Sequence, residues 1–371
     1  MRASRKAALG AARRKRQDAL LVVPGRTPTE VETVSPAVQR QYTQLLRSLV
    51  GHSIGASLAP LSPLPRLTFA MAAARLIHTK PDTSLDSIVA LFVDACHRDG
   101  EDGGTGKKLM AAIRWLLPRF QHEGVGRLPR GDAAAKATRR RAPARMRLPP
   151  PEELVSAIVM TVAYECQRLG RPLDPARALW LAHVAYLRPG ELYRSKWRHL
   201  TPAPGRVKPA GDFTAMLLHP EEEMIASKTG EFNETVVIDQ PAFAATLRQC
   251  KANRDSDAPL AGVTPRVLRG LLRGACAKLK IDGIVEVEMY SLRHSGPSAD
   301  RLKHRRPLLE VKKRGRWRSD TSLRRYEKGA YAAVQLGRCS AELLRFAERC
   351  ATLLPAVLAG SCAPLLPPSL A

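Results

Sequence analysis

The sequence predicts a mainly α-helical protein with a small antiparallel β-sheet, split into an N-terminal all-helical domain and a larger C-terminal α+β domain. Three observations predict it. Apolar residues recur at helical spacing through most of residues 35–360. FTAMLLH and EEEMIASKTGEFNETVVID instead alternate with period two around a KTGE turn, as a hairpin or small sheet would. Between two helical sets lies RGDAAAKATRRRAPARMRLPPPEE, basic, poor in large apolar side chains and ending in prolines.

Residues 1–34 are polar, basic and interrupted by Pro24 and Pro28, and are expected to be a disordered arm. SPAVQRQYTQLLRSLVG opens with a Ser cap and Pro in the first turn, then shows a helical stripe up to Gly51. TFAMAAARLIH, SLDSIVALFVDACHRDG (capped at Ser84, ended by Gly100) and GTGKKLMAAIRWLLPRF complete a helical domain over 35–125. Residues 126–149 are expected to be a linker. A second domain over 150–350 starts with the helices PEELVSAIVMTVAYECQRLG and DPARALWLAHVAYLRPGELYRSKWRHL. It passes through the β-rich stretch and returns to helix in PAFAATLRQCKANRD, TPRVLRGLLRGACAKLK, YSLRHSGPSADRLKHR and RPLLEVKKRGRW. SAELLRFAERCATLLPAVLAG reads as a last helix. Residues 351–371 hold its end and a loose tail, SCAPLLPPSLA.

Charge narrows the function. The 371 residues carry 60 Lys and Arg against 34 Asp and Glu, a formal charge of +26. Such an excess attracts a polyanion, nucleic acid before an acidic membrane surface. No run of eighteen apolar residues predicts a membrane span, and ALLVVPG is too short for a signal-peptide core. The seven cysteines form no CxxC pair, which points to buried thiols in a reducing compartment rather than disulfides or a metal site. No cofactor is expected. The basic N-terminus, MRASRKAALGAARRKRQ, is open to three readings: a DNA-contacting arm, a nuclear-import signal or an organellar transit peptide. The compartment is accordingly the nucleus in a eukaryote or the cytoplasm in a prokaryote, with an organelle left open. Arg139, Arg140, Arg141, Arg145 and Arg147 suggest a segment lying along something negative.

Four short stretches of the second domain follow one another. YLRPGEL puts Arg188 at a helix end with Glu191 close behind; SKTG puts Lys228 in the hairpin turn. YSLRHS places Tyr290, Arg293 and His294 at the start of a helix rich in small residues. GRWRSDTSLRRY carries Trp317 and, nine positions on, Tyr326. A lone tyrosine in so cationic a run is either a packing residue on a solvated helix or a nucleophile held against an anion.

In this order and spacing the stretches resemble the tyrosine recombinases, the phage-integrase type of site-specific recombinase. That family reads first arginine in an R-x-x-E-L box, hairpin lysine, H-x-x-R box, then G-H/W with the tyrosine nine positions on. The likeness covers residues 35–345, with the helical domain similar to the family's core-binding domain and the second domain to its catalytic domain. It implies that Tyr326 attacks a DNA phosphate, giving a 3′-phosphotyrosine and a free 5′-hydroxyl without metal or ATP. It further implies that Arg188 and Arg293 grip the non-bridging oxygens, a bidentate task for which guanidinium suits and ammonium does not. Lys228 would be the general acid for the leaving oxygen. Trp317 would donate its indole N–H to a phosphate oxygen, Glu191 would orient Arg188 and His294 would buttress the fold. The implied partner is double-stranded DNA, held in a clamp by a homotetramer on two duplexes, with the last helix docking on a neighbour and no membrane involved. A cationic setting also favours the phenolate of a tyrosine, whose free pKa is roughly 10.

The sequence departs from the pattern in three places. Tyr290 stands where the family has the histidine that is the candidate base, and tyrosine is a poor base near pH 7. Tyr186 stands where a glycine precedes Leu187-Arg188. TPAPGRVKPAG lengthens the path from Arg188 to Lys228. Two further readings share these residues: a DNA-binding relative that has lost catalysis, and an enzyme like the type IB topoisomerases.

Overall fold

The computed structural model describes residues 34–54, 85–116, 120, 127–141, 149–202, 213–225, 227, 230–285, 287–320 and 329–368. The basic arm over 1–33, the TFAMAAARLIH helix, Ser84, the TPAPGRVKPAG insertion apart from its first two residues, and Arg145, Arg147, Lys228 and Tyr326 lie outside them. The described residues are mainly helical with one small antiparallel sheet. The chain divides into two compact units, Met1–Met146 and Arg147–Ala371.

In the first unit, α1 (Pro36–Ile54), α2 (Leu85–Arg98), α3 (Thr105–Leu116) and α4 (Pro129–Arg141) share one core. Leu46, Leu49, Val89, Phe92, Val93, Leu109, Met110 and Ile113 fill it. The stretch expected to be a linker over 126–149 is here corrected, because thirteen of its residues form α4. This helix docks through small residues. A Cβ on Gly131 would come within 2.9 Å of Val89 Cγ1, and one on Gly106 within 3.1 Å of Ala135 Cα. The Asp86 carboxylate accepts from the N–H groups of Arg130 (3.0 Å) and Gly131 (2.8 Å), so the start of α4 is capped from α2. Its last turn leaves Arg139, Arg140 and Arg141 exposed.

In the second unit, α5 (Glu152–Arg168) is buried all round from Leu154 to Ala163, as a helix apolar on every face must be. α6 (Asp174–Val184), α9 (Pro265–Lys278), α10 (Met289–Leu302) and α13 (Ala341–Ala359) pack around it. Arg177, buried with them, is paired: its Nη1 lies 3.0 Å from Asp174 Oδ1, and its Nε donates to the Leu358 carbonyl at 2.9 Å. β1 (Leu200–Pro202), β2 (Thr214–Leu218) and β3 (Glu234–Ile238) form an antiparallel sheet in that order. Met216 opposes Val236 and Thr214 opposes Ile238, so Met216, Leu218, Val236 and Ile238 face the core against α8 (Pro241–Ala252). α7 (Pro189–Arg194), α11 (Leu308–Gly315) and α12 (Gly329–Leu336) complete the set of described helices. The tail is not loose over its described part: Cys362 and Leu365 pack on the core, and the Leu365 N–H lies 3.4 Å from Met160 Sδ. No helix among the described residues is long and apolar enough to cross a membrane.

Candidate functional site

The end of α6, the start of α7, the middle of α10 and the end of α11 meet at one place. Arg188 is the N-cap of α7 in extended backbone, followed by Pro189, whose fixed φ suits a first helical position. Glu191, three residues on, accepts from the Arg188 backbone N–H at 2.7 Å and from its guanidinium Nη1 at 2.6 Å. The RPGEL spacing is therefore a helix start that folds a carboxylate back onto its own capping arginine. The Glu191 side chain is 1% exposed and that of Arg188 is 18% exposed.

Arg293 comes from the first turns of α10 and is 1% exposed. Its Nη1 donates to the Tyr186 carbonyl at 2.5 Å and its Nη2 to the Gly315 carbonyl at 2.6 Å. The Trp317 ring covers it, with its centroid 5.0 Å from Cζ. Arg293 Nη1 also lies 3.8 Å from Glu191 Oε2. Burial, then the neighbouring Arg188 and Arg316, push the Arg293 pKa down to about 10. Gly315 has to be glycine here, since a Cβ would fall 1.8 Å from the Trp317 ring. Arg293, expected to face a phosphate, is thus sealed beneath Trp317, with a second N–H on each terminal nitrogen and an unpartnered Nε in reserve.

Tyr186 explains how α6 and α10 come so close. It adopts φ +52°, the left-handed region that suits glycine, at the very position where the resembled box has one. Its hydroxyl donates to Asp300, which Arg306 also engages, and its ring packs near Trp317 with centroids 6.2 Å apart. A Cβ on Gly296 would meet the His183 carbonyl at 2.1 Å and the Tyr186 ring at 2.6 Å, so only glycine allows this crossing. Burial, and then the Asp300 charge, raise the Tyr186 pKa well above the usual phenol range, which keeps it a neutral donor.

Two residues that sequence reasoning passed over are Arg316 and His219. Arg316 caps α11 at φ +55°; its Nη2 lies 2.7 Å from Glu191 Oε2 and 3.4 Å from the Tyr186 carbonyl. Its place between Gly315 and Trp317 in the GRW box was the available signal. Burial pushes the Glu191 carboxyl up, yet Arg316, the Arg188 N–H, Arg293 and Arg188 outweigh it and hold it below the usual carboxylate range. His219, at φ +52° after β2, brings Nε2 to 3.7 Å from Glu191 Oε1. Nothing in the sequence marked it. Glu191, His219 and Glu234 offer ligand atoms within 4.8 Å of one another, a spacing that could hold a cation. Arg188, Arg293 and Arg316 nevertheless oppose Glu191 and Glu234 with three positive charges against two, which works against a further divalent ion.

Of the residues expected from sequence, Arg188, Glu191, Arg293 and Trp317 come together. Tyr290 sits on the first turn of α10 at 36% exposure, its ring 4.9 Å from that of His294, which is half-buried. Lys228 and Tyr326 lie outside the described residues; among the residues flanking Lys228, the Gly230 N–H donates to the Ser227 carbonyl at 3.0 Å and the Glu231 N–H to Ser227 Oγ at 3.0 Å. The exposed Arg139, Arg140 and Arg141 belong to α4 of the first unit. No family model matches the chain, and no curated protein matches it.

Proposed function

We propose that the chain is a DNA strand-transferase of the tyrosine-recombinase kind, working on a mobile element's DNA. The observation that carries the reading is the convergence of Arg188, Glu191, Arg293 and Trp317, drawn from three separate stretches of sequence, at one cationic site. In this reading the Tyr326 oxygen forms a bond to phosphorus as the bond to the 5′-oxygen breaks. The phenolic proton leaves to solvent or a base, and Lys228 supplies a proton to the departing oxygen. Arg188, the more open guanidinium, receives a non-bridging oxygen, while Arg293 provides positive charge from beneath. Fixed cations in a water-poor setting stabilise the phosphorane without reorganisation. The second strand-transfer step reverses these bonds on a different 5′-hydroxyl, so the phosphodiester energy is kept. Double-stranded DNA is the partner, with four protomers on two duplexes.

A second reading is favoured by two observations. Both terminal nitrogens of Arg293 are held by main-chain carbonyls, and Tyr290 takes the place of a histidine base. A DNA-binding relative without catalysis would tolerate both. One experiment separates the two. Wild type and Tyr326→Phe are incubated with a 5′-phosphorothiolate suicide-duplex library without metal or ATP, and SDS-stable adducts are resolved on a gel. An adduct with wild type alone supports the enzyme; salt-sensitive binding with no adduct supports the silent relative.

A further inference from the structure

We propose that Arg316 is a positioning residue: by occupying Glu191 Oε2 it keeps Arg293 on the Tyr186 and Gly315 carbonyls, its charge held beneath the oxyanion that Arg188 receives. The proposal rests on the oxyanion-binding part of the reading above and not on the chemistry of strand transfer.

Glu191 is the anion shared by this cluster. Its Oε1 takes Arg188 Nη1 at 2.6 Å, and its Oε2 takes the Arg188 N–H and Arg316 Nη2, both at 2.7 Å. Arg293 Nη1 stands 3.8 Å from the same Oε2, close enough to close on it if Arg316 were gone. An arginine bound to a buried carboxylate offers less charge and fewer donors to a phosphate. Arg188 is already bound to Glu191 in this way; Arg316 keeps Arg293 from joining it by bringing a third guanidinium that is itself turned away from solvent, its side chain 7% exposed.

The backbone argues for the side chain. Arg316 sits at φ +55°, a left-handed conformation that disfavours a residue with a Cβ, so glycine would serve the turn better. The guanidinium is held in place by further hydrogen bonds, with Nη1 3.2 Å from the Arg314 carbonyl and Nη2 3.4 Å from that of Tyr186. Tyr186's carbonyl also accepts from Arg293, so one oxygen registers the two arginines against each other. Glu234 Oε2, 4.0 Å from Arg316 Nε, draws the same side chain toward the sheet.

The test uses the full chain and tungstate, a tetrahedral phosphate mimic, by calorimetry at low salt. Arg188→Ala defines the component of binding that belongs to this site. Arg316→Gln weakens that component about 10-fold, the size of a coupling between groups that touch directly. Arg316→Gly does the same while keeping the turn. Adding Glu191→Gln to Arg316→Gln restores affinity to within about 3-fold of wild type, because the anion that needed occupying is gone. A residue that merely shaped the turn would show no such rescue. If Arg316→Gln does not fold, Arg316→Lys with and without Glu191→Gln makes the same comparison. Unchanged binding in the Arg316 variants, no rescue, or no Arg188-dependent tungstate binding overturns the proposal. Arg316-dependent tungstate binding without a DNA adduct keeps this inference and removes the enzyme. An adduct with Arg316-independent tungstate binding does the reverse.

Discussion

The main-chain carbonyl of Tyr186 accepts a 2.5 Å hydrogen bond from Nη1 of Arg293, across 107 residues of sequence. Two features hold that carbonyl in place: the left-handed backbone of Tyr186 and the hydrogen bond from its hydroxyl to Asp300. Removing the hydroxyl leaves a buried carboxylate one donor short. Tyr186→Phe should therefore lose about 1–3 kcal/mol of stability, read as a lower midpoint in urea unfolding with an unchanged slope. A variant as stable as wild type would show that Arg306 alone satisfies Asp300.

Gly296 is where α10 crosses the end of α6. Gly296→Ala would place a methyl 2.1 Å from the His183 carbonyl, which is backbone and has little room to give. The helices have to move apart, at about 1–3 kcal/mol or more. Thermal unfolding of Gly296→Ala beside Gly283→Ala, a position with open space around it, isolates the crossing from the loss of glycine itself.

Arg188 is open enough to meet a ligand, and its backbone, not its side chain, caps α7. Arg188→Ala should leave the far- and near-ultraviolet circular dichroism of the chain intact. On the proposed function, covalent adduct formation falls by about 100- to 1000-fold, the cost of losing one preorganised donor to a developing oxyanion. Arg188→Lys should recover little of it, since ammonium lacks the planar fork. Adduct formation at the wild-type rate in Arg188→Ala would remove Arg188 from the site.

His183 is wholly buried in α6, and desolvation pushes its pKa down to about 4. The unfolded chain binds this proton near pH 6.5 and the folded chain does not until about pH 4. Its contribution to stability is thus fully present above pH 6.5 and is lost as the pH falls through 4. The loss is on the order of 2–3 kcal/mol. Urea unfolding from pH 7 to pH 4 should show stability falling, and His183→Gln should flatten part of that slope.

The last turn of α4 carries three exposed arginines at 139, 140 and 141. If they lie on DNA, replacing all three by alanine lowers affinity for unrelated duplexes alike. The slope of log affinity against log salt then becomes shallower by about 0.9 for each phosphate that is no longer neutralised. An unchanged slope would place them in solvent.

Much of the site was legible in the sequence because local chemistry wrote it there. The RPGEL spacing is a helix start with its own capping carboxylate, and the order of arginine, turn, arginine and tryptophan needs no distant information. The α4 helix was not legible: it has no large apolar residue, and a stripe of large apolar residues is what periodicity detects. Its glycine and alanine face becomes a packing face only when Val89, Met110 and Gly106 stand opposite. Arg316 and His219 were missed for the same kind of reason. Each draws its meaning from Glu191, which lies far away along the chain and near only in space.

By itself the sequence determined the helical and strand periods, the excess of positive charge and the identity of the cations. These depend on residue type and near-neighbour spacing. The tertiary structure alone decided that Arg293 is buried with its terminal nitrogens on carbonyls, that Tyr186 fills a left-handed position, and that three guanidiniums share Glu191. Burial and charge sharing are properties of what surrounds a group, and the surroundings here are assembled from segments more than a hundred residues apart, with the Gly296 crossing setting the distance between them.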